Sequence, residues 1–173
     1  MHELRQSIRA SLAAEVLRRT GRLAMRVYGT SMLGSIWPGD EVVFEICEPA
    51  DVALGDVLLY RRDDRLVVHR VIQISSLGEA LEFRTRGDNQ RGCDLPVSAE
   101  DLLGRAVLVR HANGAPGQIA LKRSPAAKLL SCVTSRSTLA CEFVLRLHAA
   151  SEWLFCIFSS KPRHGEGSLE AQS

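Results

Sequence analysis

Between Arg22 and Arg110 the chain is cut into short runs rich in β-branched and aromatic residues, and each run closes on a turn signal. Arg22 to Tyr28 alternates, with Leu23, Met25 and Val27 on one side, and Glu41 to Ile46 is dense in Val, Phe and Ile. Asp56 to Arg61 follows the Pro49 to Gly55 connection, and Asp63-Asp64 makes a hairpin turn into Arg65 to Ile72. Leu81 to Arg86 and Leu102 to Arg110 complete six or seven strands, with no helices alternating between them. A pattern of this kind predicts a mostly-β core rather than a parallel sheet wrapped by helices.

Helical periodicity is confined to the two ends. Leu4, Ile8, Leu12 and Val16 recur every fourth residue ahead of Gly21, which predicts an amphipathic helix packing through those side chains. Toward the C-terminus, Leu139, Phe143, Leu147, Ala150, Leu154, Ile157 and Phe158 share one side of a helical wheel. Such a stripe is expected to pack on its own protein, with a membrane surface or a partner as the alternative, helped by Trp153 and Phe155. The expected organisation is an N-terminal helix over 1–21, a β domain over 22–112 and a linker over 113–127. An amphipathic helical segment over 128–160 and a disordered tail over 161–173 complete it.

Bulk properties narrow the function. At 173 residues and 46% hydrophobic content, one core can be buried. A net charge of +2 with scattered Lys and Arg gives no reason to expect nucleic acid as a partner. Five cysteines without a Cys-x-x-Cys pair read as reduced thiols, and no zinc site or other cofactor is expected. Glu3, Arg5, Arg9 and Glu15 break any signal-peptide pattern, and Arg136, Glu142, Arg146 and Glu152 interrupt the only long apolar stretch. The expectation is a cytoplasmic or peripherally membrane-associated chain whose membrane contact, if any, runs through 128–160. Nothing in the sequence sets an oligomeric state.

Three groups could carry chemistry. Ser31 lies in the turn-rich stretch Tyr28 to Asp40 between two expected strands. His69 interrupts an otherwise apolar strand, and Asp88 and Asp94 follow the strand ending at Arg86. A serine hydroxyl needs a base to become a nucleophile, neutral histidine suits that task, and a carboxylate can fix the histidine tautomer. Each also has a plain structural reading: a turn for Gly29-Thr30-Ser31, a half-buried strand residue for His69, an Asx-turn for Asp88.

Taken in order, Gly29-Thr30-Ser31-Met32 with Pro38-Gly39-Asp40, Gly55 to Tyr60, Val68 to Ile72, and Thr85-Arg86-Gly87-Asp88-Asn89 with Asp94 resemble the motif boxes of type I signal peptidases. More broadly, they resemble the superfamily these share with self-cleaving repressor-type peptidases. The resemblance covers about residues 22–110 and implies a signal-peptidase-like complex β fold with a barrel-like core and flanking helices. It implies a serine endopeptidase of the Ser-His branch acting on an extended peptide or protein substrate. Ser31 would be the nucleophile and His69 the base, with Asp88 or Asp94 completing a triad. The Thr30 to Met32 loop would form the oxyanion site.

The chain departs from the family pattern at Gly34, where many relatives have proline, and at Gly29, where many have a hydroxyl residue. Loss of proline is expected to loosen the loop. Residues 1–21 are not expected to act as the membrane anchor typical of signal peptidases, and residues 1–20 are too short for a helix-turn-helix reader of DNA. The alternative function is a catalytically weak or inactive peptide-binding or regulatory module on the same fold.

Overall fold

The computed structural model describes residues 2–77, 80–112, 116–117 and 125–159. Most of the expected linker, the tail over 161–173 and the side chains of Leu4, Trp153, Leu154, Phe155, Ile157 and Phe158 lie outside the described residues. Helix α1 (His2–Thr20) leads into strands β1 (Arg22–Arg26), β2 (Glu41–Glu45), β3 (Val57–Arg62), β4 (Arg65–Leu77), β5 (Ala80–Arg86), β6 (Val97–Ser98), β7 (Leu102–Arg110) and β8 (Pro116–Gly117). Helices α2 (Pro125–Thr134) and α3 (Thr138–Ser159) follow. The fold is mostly β, as the turn-punctuated runs predict. The short β6 falls where the sequence reads as a polar loop.

All pairings are antiparallel, in the order β1-β2-β7-β3-β4-β5-β6, with β8 added to β7. The ends β1 and β6 do not pair, so the expected barrel is not closed. Asp63 and Asp64 make the β3–β4 hairpin with φ of 47° and 60°. Two successive positive values suit a two-residue hairpin turn, and aspartate tolerates that region better than most residues.

Each face of the sheet carries a core. Leu17 of α1 packs with Val42, Phe44, Val57, Leu59, Ala106 and Val109, and Met32 and Ile36 from the Ser31 loop join them. On the other face Val52, Leu58, Tyr60, Val71, Phe83 and Val97 cluster, flanked by Val67. Side chains alternate along β4: Val67 and Val71 meet one core, Leu66 and Val68 the other.

Two expectations about helix faces fail. Helix α1 buries Ala10, Ala13 and Leu17 and leaves Ile8 and Leu12 exposed. Small alanines let the helix axis approach the sheet, where a row of larger side chains would hold it off. On α3, Leu139, Phe143 and Leu147 are exposed, at 79%, 62% and 55%, so this part of the stripe does not pack on the chain. The C-terminal helical segment consists of two helices, α2 and α3. Ser137 Oγ accepts from the Ala140 N–H at 3.2 Å, capping α3 and separating it from α2. Among the described residues, no helix is long and apolar enough to cross a membrane.

Candidate active site

The β2–β7–β3–β4–β5 ladder sets His69 between Tyr60 and Thr85. In register, Leu58 lies opposite His69, Tyr60 opposite Val67, and Thr85 opposite Val71. Tyr60 and Thr85 thus stand on the two strands beside β4, on the same face as His69. His69 is buried, with Nδ1 2.7 Å from Asp94 Oδ2. A carboxylate there leaves Nδ1 carrying the proton and Nε2 the free lone pair.

Asp94 Oδ2 is the hub of a polar cluster inside an apolar layer. Thr85 Oγ1 donates to it at 2.7 Å. The Tyr60 hydroxyl has a single proton to place between Asp94 Oδ2 at 3.2 Å and Thr85 Oγ1 at 3.0 Å. The Thr85 backbone carbonyl in turn accepts from the Asp94 N–H at 2.9 Å, so the carboxylate is tied to β5 by both main chain and side chain.

Burial pushes the Tyr60 phenol up to about 12, with the nearby Asp94 charge adding to the rise against the Thr85 hydrogen bond. Tyr60 is therefore a neutral donor at any physiological pH. Because its folded value lies above the ordinary 10.0, its contribution to stability is complete below about pH 10 and is lost as pH climbs through about 12. Denaturant midpoints across that alkaline window should fall more steeply for the native chain than for Tyr60→Phe.

The serine reaches the site on a clamped loop. Met32, Leu33 and Ile36 are buried beneath it, and Ser35 N–H and Ile36 N–H both donate to the Met32 carbonyl. Asn89 holds the near side: its backbone N–H donates to the Ser31 carbonyl at 2.7 Å and its side-chain amide to the Thr30 carbonyl at 3.2 Å. Gly87 has no room for a side chain, since a Cβ there would sit 2.7 Å from the Ser31 carbonyl oxygen. Gly87→Ala is expected to destabilise the chain by about 1–3 kcal/mol and to displace the Ser31 carbonyl, and a denaturant titration should show the loss.

Asp88 serves a different partner from Asp94. It receives both Arg70 Nε at 3.0 Å and Arg70 Nη2 at 2.9 Å in a buried two-point pair. Arg70 also donates to the Gly55 carbonyl at 2.7 Å and to Ser35 Oγ at 3.3 Å, bracing the far end of the serine loop against β4.

Helices α2 and α3 support the loop from outside. Thr134 Oγ1 lies 2.5 Å from Asn89 Oδ1, and the His148 ring stacks on Trp37 at 4.3 Å. Gly34 has φ of +96°, and a Cβ there would meet the Ala127 carbonyl at 3.2 Å. Proline, with φ near −65°, could not adopt this conformation. Gly34 is a fitted contact with α2, not the loosening read from the sequence.

Ser31 and His69 line one cleft of about 480 Å³. Its walls include the consecutive residues Met25 to Gly29 and Leu66 to His69. Successive strand residues point to opposite faces, so a wall containing every one of them is a strand edge. Among the described residues, the first wall continues β1, which pairs only with β2, and the second is the part of β4 that pairs only with β3. Among the described residues, no hydrogen bond joins Ser31 to His69, and the Ser31 backbone N–H has no protein acceptor.

Of the residues singled out in the sequence, Ser31, Met32 and His69 share this cleft, Asp94 holds His69, Thr30 is pinned by Asn89, and Asp88 is committed to Arg70. Tyr60, Thr85, Arg70 and Asn89 are the site's supports that sequence reading missed. All four stand within the motif boxes, which was the available signal.

A mostly-β fold with a serine and a carboxylate-bound histidine lining one cleft is an arrangement suited to peptide hydrolysis. No family model matches the chain. The chain is 36% identical over 63 residues to Signal peptidase I W of Bacillus subtilis (strain 168), a match covering 35% of this chain and 33% of that protein. The match thus spans about a third of the length of that curated relative, and it supports a signal-peptidase-like relationship and a peptidase-related function at that coarse level.

Proposed function

We propose that the chain is a serine endopeptidase of the Ser-His branch of the signal-peptidase superfamily. The observation that carries this reading is a single cleft lined by Ser31 and by His69, whose Nδ1 is bonded to Asp94. In the proposed reaction an extended peptide lies between the two strand edges and extends the sheet through its main chain. Ser31 Oγ attacks the scissile carbonyl carbon while His69 Nε2 takes the hydroxyl proton. The tetrahedral intermediate collapses, the C–N bond breaks, and His69 passes the proton to the leaving amine. Water then attacks the Ser31 ester by the same route and frees the enzyme.

Backbone N–H groups at the start of the Ser31 turn would receive the oxyanion, Ser31 N–H first among them. One such donor is worth about 2.7–4 kcal/mol in a comparable site. The Ser31–His69 hydrogen bond forms when substrate arrives, since such contacts commonly tighten only in the complex. Asp94, and not Asp88, is the orienting acid in this reading, because Asp88 is neutralised by Arg70. A contact of 128–160 with a membrane surface is a further part of the proposal, resting on the exposed Leu139, Phe143 and Leu147.

The test is hydrolysis of a mixed library of extended peptides, followed by mass spectrometry. The native chain should cut a subset of sequences, and Ser31→Ala should cut none. Persistence of the same cleavages in Ser31→Ala would sink the reading. A native chain that binds peptides without cutting any would leave the inactive binding module in its place.

A further inference from the structure

We infer that the cleft selects peptides carrying acidic side chains close to the serine, with Arg9 of α1 and Arg26 of β1 as the specificity-determining residues. The inference rests on the peptide-groove reading above. Both arginines line the cleft with Ser31 and His69. The described residues lining it include no Asp or Glu, the remaining polar side chains being Gln6, Tyr28 and Gln90. Neither guanidinium has a carboxylate partner among the described residues.

That lack of pairing is built into the fold. Arg26 lies directly across from Glu41 in the β1–β2 register, the obvious place for a cross-strand ion pair. Glu41 instead takes Arg110 of β7 at 2.6 Å. On α1, Glu15 is held by Arg18 and Arg19, which keeps its carboxyl below the usual range and leaves it two turns away from Arg9. The acids that could have neutralised the cleft are thus engaged elsewhere.

Two guanidinium groups without carboxylate partners in the lining of one groove are a fixed positive field over whatever lies in it. Arg9 comes from α1, which packs against both β1 and β4, the strands that supply the groove walls. Arg26 reaches in from the strand edge itself. Guanidinium groups bind carboxylates through two parallel hydrogen bonds, which makes Asp or Glu the matching side chain. Such contacts in a partly exposed groove give a preference of about tenfold at low salt, declining as screening shortens their reach.

The experiment uses the full chain carrying Ser31→Ala, immobilised as a trap, and a random nonapeptide library whose retained fraction is sequenced by mass spectrometry. Asp and Glu should be enriched about tenfold over Asn and Gln at 50 mM salt, with the enrichment mostly lost at 0.5 M. Adding Arg9→Gln and Arg26→Gln should abolish the enrichment, and Arg9→Glu with Arg26→Glu should turn it toward Lys and Arg. Both positions are exposed, so thermal melting should be unchanged. Retention without acidic preference, a preference unaffected by the two glutamines, or no retention at all would overturn the inference. The native chain, run in parallel, reads hydrolysis independently: acidic peptides retained by the trap but cut by neither protein would end the peptidase reading and leave the charge selection standing.

Discussion

Asp94→Asn should reduce peptide hydrolysis by about 10⁴-fold while leaving the thermal melt within a few degrees of the native chain. The carboxylate does two things for His69. It holds the ring through the 2.7 Å bond to Nδ1, and in the proposed reaction it would stabilise the positive charge that the ring acquires when Ser31 loses its proton. An amide keeps the shape but can present its NH₂ to Nδ1, which would then accept, placing the ring proton on Nε2. The nitrogen facing the cleft would be a donor and unable to act as base. Thr85 and Tyr60 meet the same Oδ2 position as His69, so the NH₂ placed there can give its second hydrogen to a hydroxyl oxygen, which accepts, and the fold should tolerate the change. The rate loss should appear in kcat with little change in KM, because the group acts on the transition state and not on bound peptide. A loss of less than tenfold would remove Asp94 from the mechanism.

Asp88→Asn should behave in the opposite way, costing about 3–5 kcal/mol of stability by leaving the buried Arg70 charge without its carboxylate. Both side chains are more than nine-tenths buried, so water cannot replace the lost partner. On a domain whose total stability is of order 5–15 kcal/mol, that loss should bring the denaturant midpoint down sharply. Arg70 retains its bonds to the Gly55 carbonyl and Ser35 Oγ, which keeps the side chain in place, so the penalty comes from the loss of the Asp88 charge. Replacing both partners, as in Arg70→Met with Asp88→Leu, should cost much less than the sum of the single changes. A loss under 1 kcal/mol for Asp88→Asn would mean that the pair is solvated and is not what braces the loop. The two aspartates, six positions apart, should thus separate cleanly, one altering rate and the other stability.

How much of this the sequence discloses depends on the range of the interaction. Strand positions are legible because turn chemistry and β-branched runs are local: Asp63-Asp64 marks its hairpin, and the runs at Glu41, Arg65 and Leu102 begin strands where expected. Ser31 and His69 are legible only as members of ordered motif boxes. Nothing in their spacing brings them into one cleft.

The choice between Asp88 and Asp94 was beyond the sequence because it turns on which acid the chain after β5 brings to each face of β4. His69 and Arg70 are neighbours that point to opposite faces, and each face brings a different acid within reach. Tyr60 and Thr85 were missed for a related reason, since their meeting at Asp94 requires the β3–β4–β5 register. The helix faces misled because size was read as burial. Ile8 and Leu12 repeat with helical spacing, but a helix lying close on a sheet makes its contact through alanines.

Intact-mass measurement after exposure to a serine-reactive phosphonate probe shows whether His69, held by Asp94, activates Ser31. The native chain should gain one adduct, mapped to Ser31, and both Ser31→Ala and His69→Ala should gain none. Equal labelling of all three proteins, or an adduct on the native chain at any residue other than Ser31, would contradict it.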